Sequence, residues 1–345
     1  MISMNLVVFC ELSLVYLKCK VNLMWKMPRL QDLSSNTSCI DEDRSEIWLG
    51  YTEGINRSRT SHRTMDDVPA LFIKSVLCLS SLPTVEPVKK LSSHSWSQMA
   101  ADQMARRKNW ILLIKHCEGS FSGIFENKSV HPFTATLQEF ARKDPTVHQI
   151  TQIALLKSEN LTWRNCGPTK VGARKDIESF ERRIFPRINY SALEHLQLST
   201  MDSIGLHSAI LRHLVDKNMK IKRLYLKYEG PNSTEILEQI VRKKVVTIMS
   251  LSGEWPPEST VPLIEALVPQ RQLRKFWSHA RMSFSESFFE SLVADWREDN
   301  SRQAEEMFFW SPETTPPLDQ THPNSKDRLN VEVSRGYIHL TFSRS

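Results

Sequence analysis

The residue types that could do chemistry are scattered thinly along this 345-residue chain. His116-Cys117 brings a thiol beside a base, the pairing of an activated nucleophile. Adjacent residues of a strand point to opposite faces, however, so the two cannot hydrogen-bond productively. His207 and His213 flank a predicted helix and read as face or cap histidines rather than as metal ligands. Gly167-Pro-Thr-Lys-Val-Gly lacks both the glycine spacing and the Lys-Ser/Thr ending of a phosphate loop. Glu178, Glu181, Arg182 and Arg183 crowd one helical turn and read as a solvated face. No G-x-S-x-G elbow and no H-E-x-x-H occurs. The six cysteines, Cys10, Cys19, Cys39, Cys78, Cys117 and Cys166, include no C-x-x-C, and no histidine pair completes a zinc pattern. The expectation is therefore a binding protein and not an enzyme, with no catalytic residue, no metal and no cofactor.

The elements that would position a binding surface are clearer. Segments with an apolar–x–x–apolar–x–apolar register recur: Leu193-Glu-His-Leu196-Gln-Leu198, Ile221-Lys-Arg-Leu224-Tyr-Leu226, Val246-Thr-Ile-Met249-Ser-Leu251 and Leu273-Arg-Lys-Phe276-Trp. They start about 25–28 residues apart, within the range of leucine-rich-type repeats. Ile150-Thr-Gln-Ile153-Ala-Leu155 shares the pattern. A helical pattern follows each of the four, over 204–215, 234–242, 259–267 and 285–293. One strand plus one helix per unit lets neighbours bury faces that a single unit could not. A doubly wound α/β domain is the structural rival. Gly253-Glu-Trp-Pro-Pro directly follows a predicted strand, and loops at one edge of such a stack often bind; Glu254 and Trp255 are the target-binding candidates. Trp96, Trp255, Trp277 and Trp310 read as core or inter-repeat packing rather than as a ligand cage.

Residues 1–64 open with an apolar run and continue as Ser/Thr/Asn/Arg clusters without periodicity, so they read as a disordered or non-native N-terminal extension, with Met65 as a plausible start. Residues 65–108 read as a compact three-helix unit. Asp66 or Asp67 caps the first helix, Pro69 sits in its first turn, and Leu71, Phe72, Val76 and Leu79 form one apolar face. Leu82-Pro83 ends it, and a turn through Val85, Val88 and Leu91 leads to a helix with Trp96, Met99, Ala100 and Met104 inward. Residues 109–345 then form an α/β region. Trp110-Ile-Leu-Leu-Ile and Gly119–Phe125 make its first strands, and Leu329–Val333 with Tyr337–Phe342 a closing hairpin around a glycine turn.

Met65-Asp-Asp-Val-Pro-Ala-Leu-Phe72, Val76 and Leu91-Ser-Ser-His-Ser-Trp96 together resemble an F-box. The stretch 65–342, with its Leu-x-Leu strands, Gly253-Glu-Trp-Pro256 turn and apolar hairpin, resembles the large nematode family of F-box-like proteins. The resemblance implies an N-terminal F-box-like three-helix unit followed by an irregular leucine-rich-repeat-like solenoid and a C-terminal β-hairpin. It also implies a substrate-recognition adaptor of a cullin-RING ubiquitin ligase. Val68, Pro69, Leu71, Phe72, Leu91 and Trp96 would dock a Skp-type adaptor, and the C-terminal region would bind an unknown target protein. Where the common F-box has Leu-Pro-x-Glu, this chain has Val68-Pro-Ala-Leu71.

The net charge of +6 is mild and spread along the chain, so no nucleic acid is expected as partner. No 18-residue apolar run predicts a membrane span. Scattered cysteines point to the cytoplasm or nucleus. The alternative is a secreted or lumenal glycoprotein that uses the apolar start as a signal, with sequons at Asn36, Asn56, Asn127, Asn160, Asn189 and Asn232. An unrecognised α/β hydrolase is the third reading.

Overall fold

The computed structural model describes residues 65, 68–117, 120–127, 134–157, 169–171, 174–200, 205–267, 272–298, 305–310, 328–334 and 336–343. The N-terminal extension read over 1–64 lies outside them. The described residues form two compact units, one of 65–78 with 82–105, the other of 79–81 with 106–343.

The first unit contains α1 (Ala70–Leu79), α2 (Leu82–Val88) and α3 (His94–Arg106). The Pro69 carbonyl accepts the N–H groups of Phe72 and Ile73, which starts α1. A helix over Leu82–Val88 stands where the sequence suggested a turn. Pro83 lies in its first turn, where a missing N–H costs nothing, and so begins a helix instead of ending one. The unit's core is Ile73, Val76, Leu77, Val85, Val88, Trp96 and Ala100. The inward face of α1 is thus one residue out of phase with the expected Leu71–Phe72–Val76–Leu79 stripe. Ala70–Leu79 carries a single charge, Lys74, so no polar face marks its phase in the sequence.

The second unit is built on one twelve-stranded mixed sheet. Its strands are β1 (Lys108–Cys117), β2 (Ser120–Asn127), β3 (Thr134–Thr136), β4 (His148–Lys157), β5 (Thr169–Val171), β6 (His195–Leu198), β7 (Arg223–Lys227), β8 (Ile248–Ser252), β9 (Lys275–Ser278), β10 (Glu306–Trp310), β11 (Arg328–Ser334) and β12 (Tyr337–Ser343). The helices are α4 (Leu137–Ala141), α5 (Arg174–Arg183), α6 (Leu206–Leu214), α7 (Pro231–Lys243), α8 (Pro257–Glu265) and α9 (Glu286–Glu298). The spatial order is β11-β12-β10-β9-β8-β7-β6-β4-β1-β2-β3, with β5 pairing β2.

This corrects the expected architecture of an F-box unit followed by a leucine-rich solenoid. The strands read as lying ahead of the repeats belong to the same hydrogen-bonded ladder as the repeats. β1 pairs in parallel with β4, and β4 with β6. At the far end β10 pairs in parallel with β9 and antiparallel with β12, so the closing hairpin extends the sheet. From β1 through β4, β6, β7, β8 and β9 to β10 the order advances without reversal.

Register along this run is held by a repeated backbone device. The Glu194 carbonyl accepts from the N–H groups of Lys222 (2.9 Å) and Arg223 (3.0 Å). Lys222 accepts from Thr247 and Ile248, Thr247 from Arg274 and Lys275, and Arg274 from Glu305 and Glu306. Each carbonyl just ahead of a strand thus fixes the start of the next.

Alternation then sorts side chains between two faces. Leu196, Leu224, Met249, Phe276, Met307 and Leu340 form one buried row of cross-strand partners. The helices share this core through residues such as Ile210, Leu237, Ile264 and Phe289. The next row, on the opposite face, is Gln197, Tyr225, Ser250, Trp277, Phe308 and His339, all half-buried. Leu224→Ala should therefore lower unfolding free energy by about 2–5 kcal/mol, and Gln197→Ala by less than about 0.5 kcal/mol. Urea melts of the full chain check both.

Candidate functional site

Leu71 projects from the outer side of α1 and is 80% exposed, although it is flanked by Phe72 and Ile73, which turn inward. Pro69 is exposed beside it. One turn on, the Ser75 hydroxyl donates to the Leu71 carbonyl at 2.8 Å, so the outer surface of this helix presents an alkyl group, a small hydroxyl and only Lys74 as a charge. The other predicted docking residues are less available. Trp96 is buried, with its indole N–H donating to the Met65 carbonyl at 3.0 Å. Val68, Phe72 and Leu91 are half-buried against the unit's own core. Of the six, Leu71 and Pro69 are open to a partner as they stand.

The target-binding pair separates as well. Trp255 is buried, donates from its indole to the Ser252 carbonyl at 2.8 Å, and lies 5.2 Å from the Tyr228 ring. Only Glu254 is exposed. Gly253 makes the turn between them and β8 with φ 88°, and a Cβ there would stand 3.2 Å from the Tyr228 nitrogen. The loop is built to close the core.

A polar groove of about 300 Å³ runs along the edge where the parallel strands begin. Glu194, His195, Lys222, Arg223, Arg274 and Glu305 line it. Lys222 pairs with Glu194 at 2.9 Å and Arg274 pairs with Glu305, so most of its charge is internally compensated. Arg223 is exposed and in no ion pair among the described residues.

The titratable pairs do not form an acid–base centre. The Tyr190 hydroxyl and His213 Nε2 share a hydrogen bond at 2.6 Å, with the Phe185 ring packed against the imidazole. Burial, then nearby Lys217, brings His213 down to about 4, and burial pushes Tyr190 up to about 12. Neither group is poised near neutrality, where general catalysis works best. His207 is fully buried, its Nδ1 lying 3.0 Å from both the Thr200 carbonyl and Glu229 Oε2. The Ser208 hydroxyl donates to the other Glu229 oxygen at 2.9 Å. This network joins α6 to the loop after β7. The side chains of His116 and Cys117, and the segment Gly167–Gly172 apart from the backbone of β5, lie outside the described residues. Among the described residues no group of three His, Cys, Asp or Glu side chains could hold a metal ion.

Two of the sequons are closed to a glycan. Asn127 is buried. Asn189 is buried too, donating to Gln149 Oε1 at 2.8 Å and accepting from the Ala192 N–H at 3.2 Å. Among the described residues no helix is long and apolar enough to cross a membrane.

No protein-family model matches the chain. No curated protein matches it either. Among solved structures, the chain is matched to the MycE methyltransferase from the mycinamycin biosynthetic pathway, in complex with Mg and SAH. The match has 8% identity and TM-score 0.21, and covers 80% of this chain and 93% of that one. The matched protein is an enzyme, so the expectation that this chain is not one is withdrawn. At that TM-score the likeness carries no argument about this chain's own fold or chemistry.

The His213 pair makes a prediction about stability. Its folded pKa lies below the ordinary histidine value near 6.5, so between that value and about 4 the unfolded chain binds the extra proton. Stability should be full above pH 6.5 and fall as pH drops toward 4. Replacing His213 with Gln should flatten the part of the fall that begins near pH 6.5, in urea midpoints measured from pH 7.5 to 4.5.

Proposed function

We propose that this chain is a recognition adaptor that docks a partner protein through the outer face of α1 and holds a target on its sheet unit. The carrying observation is Leu71: a leucine 80% exposed on a ten-residue helix whose only charge is Lys74. A helix apolar nearly all round is stable in water when something covers both sides, and the unit's own core covers one. The sequence resemblance to F-box-like proteins supplies the partner's identity in this reading. That partner is a Skp-type adaptor within a cullin-RING ubiquitin ligase, which places the protein in the cytoplasm or nucleus. The buried Asn127 and Asn189 speak for that compartment over a glycosylated, lumenal one.

Docking through Leu71 differs from docking through the whole expected set, because Trp96, Phe72 and Leu91 have structural duties. Substitutions there unfold the unit and weaken docking together. Leu71→Asp leaves the core untouched. It should cost at least about 30-fold in affinity for a co-expressed Skp-type adaptor, as loss of an interface hot spot does, with an unchanged melting temperature. Capture of the adaptor by the folded full chain, measured by co-purification and titration calorimetry, tests this. Undiminished binding by Leu71→Asp, or no binding by the folded wild type, contradicts it.

A further inference from the structure

We infer that the half-open face of the sheet binds single-stranded nucleic acid, with bases stacking on Tyr225, Trp277, Phe308 and Tyr337 and phosphates held by Arg223 and Lys227. This goes beyond the adaptor reading and does not rest on it. Even spreading of charge along the chain gave no reason to expect such a ligand; the strand register gathers what the sequence scatters.

Tyr225, Ser250, Trp277 and Phe308 are successive cross-strand partners on β7, β8, β9 and β10. Tyr337, on β12, packs against Phe308 with ring centres 4.8 Å apart. The rings therefore spread over four inter-strand steps of about 4.8 Å, or ~19 Å. Tyr225 and Trp277 lie 6.5 Å apart with planes 18° from parallel, and between their strands stands only the small Ser250. Charge brackets these rings. Arg223 and Lys227 flank Tyr225 on the same strand and the same face, and neither is in an ion pair among the described residues. Lys275 Nζ lies 6.0 Å from the centre of the Trp277 ring but is already paired with Glu305 at 3.5 Å and Glu306 at 3.8 Å, and the Arg281 guanidinium lies 5.6 Å from the Trp310 ring centre. Two acids share this face: Glu306, engaged by the Trp277 indole at 3.2 Å and by His339 at 3.3 Å, and exposed Glu332, 3.8 Å from His339 Nδ1 at the far end of the row.

A solvated sheet face is served by Thr, Lys and Glu, which leave no aromatic surface in water. A row of half-exposed rings beside unpaired cations matches a ligand made of flat apolar groups joined by negative charges. Single strands meet that description: their bases are free to stack on aromatic side chains, and their phosphates are drawn to Arg and Lys. A duplex hides its base faces in its own stack. An acidic peptide satisfies the cations and leaves the rings in water.

The test is fluorescence anisotropy of a labelled twelve-nucleotide oligouridylate with the full chain at 50 and 200 mM NaCl. The same RNA in a duplex, uridine monophosphate and polyglutamate serve as competitors. The inference expects saturable binding that weakens with salt and is displaced by unlabelled single strand far better than by the other three. Trp277→Ala should weaken it about 5- to 150-fold, the range that loss of one stacked base implies. Arg223→Gln with Lys227→Gln should weaken it and reduce its salt dependence, and these exposed or half-exposed replacements leave the core intact. Absence of binding by folded protein at 50 mM NaCl overturns the inference. So does equal competition by polyglutamate, which marks a plain polyanion site, or an affinity indifferent to Trp277→Ala in a variant that melts normally.

Discussion

Everything in the larger unit depends on where each parallel strand begins, and a single backbone arrangement sets that. One carbonyl ahead of each strand takes two consecutive N–H groups from the approach to the next, at Glu194, Lys222, Thr247 and Arg274. A slip of one residue at any of these would turn a strand's alternating side chains over, putting Leu224 and Leu226 in water and Arg223 and Tyr225 in the core. The hydrophobic alternation and the carbonyl ladder therefore enforce each other. The polar groove along that edge follows from them, because the residues that supply these carbonyls, Glu194, Lys222, Thr247 and Arg274, and Glu305, whose N–H meets the last of them, line it.

Fixing the register makes the two faces chemically distinct. The helix-covered face is filled by branched and aromatic side chains, and the His207–Glu229 network joins α6 to the loop after β7. The opposite face gathers rings and cations from strands far apart in the chain. The two proposed surfaces thus come from different physics. Leu71 is left over where a small unit cannot bury every apolar side chain of α1, whereas the aromatic row is a product of pairing between strands.

What was legible in the sequence was local. Leu193–Leu198, Ile221–Leu226, Val246–Leu251 and Leu273–Trp277 each overlap a strand, and each is followed by a helix, because Leu-x-Leu alternation and helical periodicity are short-range signals. Partnership between strands is not short-range. Ile150–Leu155 shares the repeat pattern, but nothing in Trp110–Ile114 or in the closing hairpin states that these strands join the repeats in one ladder, and so a solenoid was expected. The phase of α1 was illegible for a different reason: with one charge in ten residues the helix has no polar side to orient it, and Leu71 and Ile73 exchanged roles. Trp277 and Trp310 read as core because tryptophans usually are. Only the register shows that they stand half-buried on the face opposite the helices. Trp255, read both as core packing and as part of a binding tip, is core: it seals the interior above Ser252.

Strands from Lys108 to Ser343 form one continuous ladder, and hydrogen–deuterium exchange of the full chain probes that continuity. The account predicts that core amides of β1, β4, β6, β7, β8 and β9 are lost together, at a common free energy of opening, with the N–H groups of Lys222, Thr247, Arg274 and Glu305 among the protected set. Two separate exchange classes, with β1 and β4 opening independently of β6 through β9, would show two bodies and contradict it.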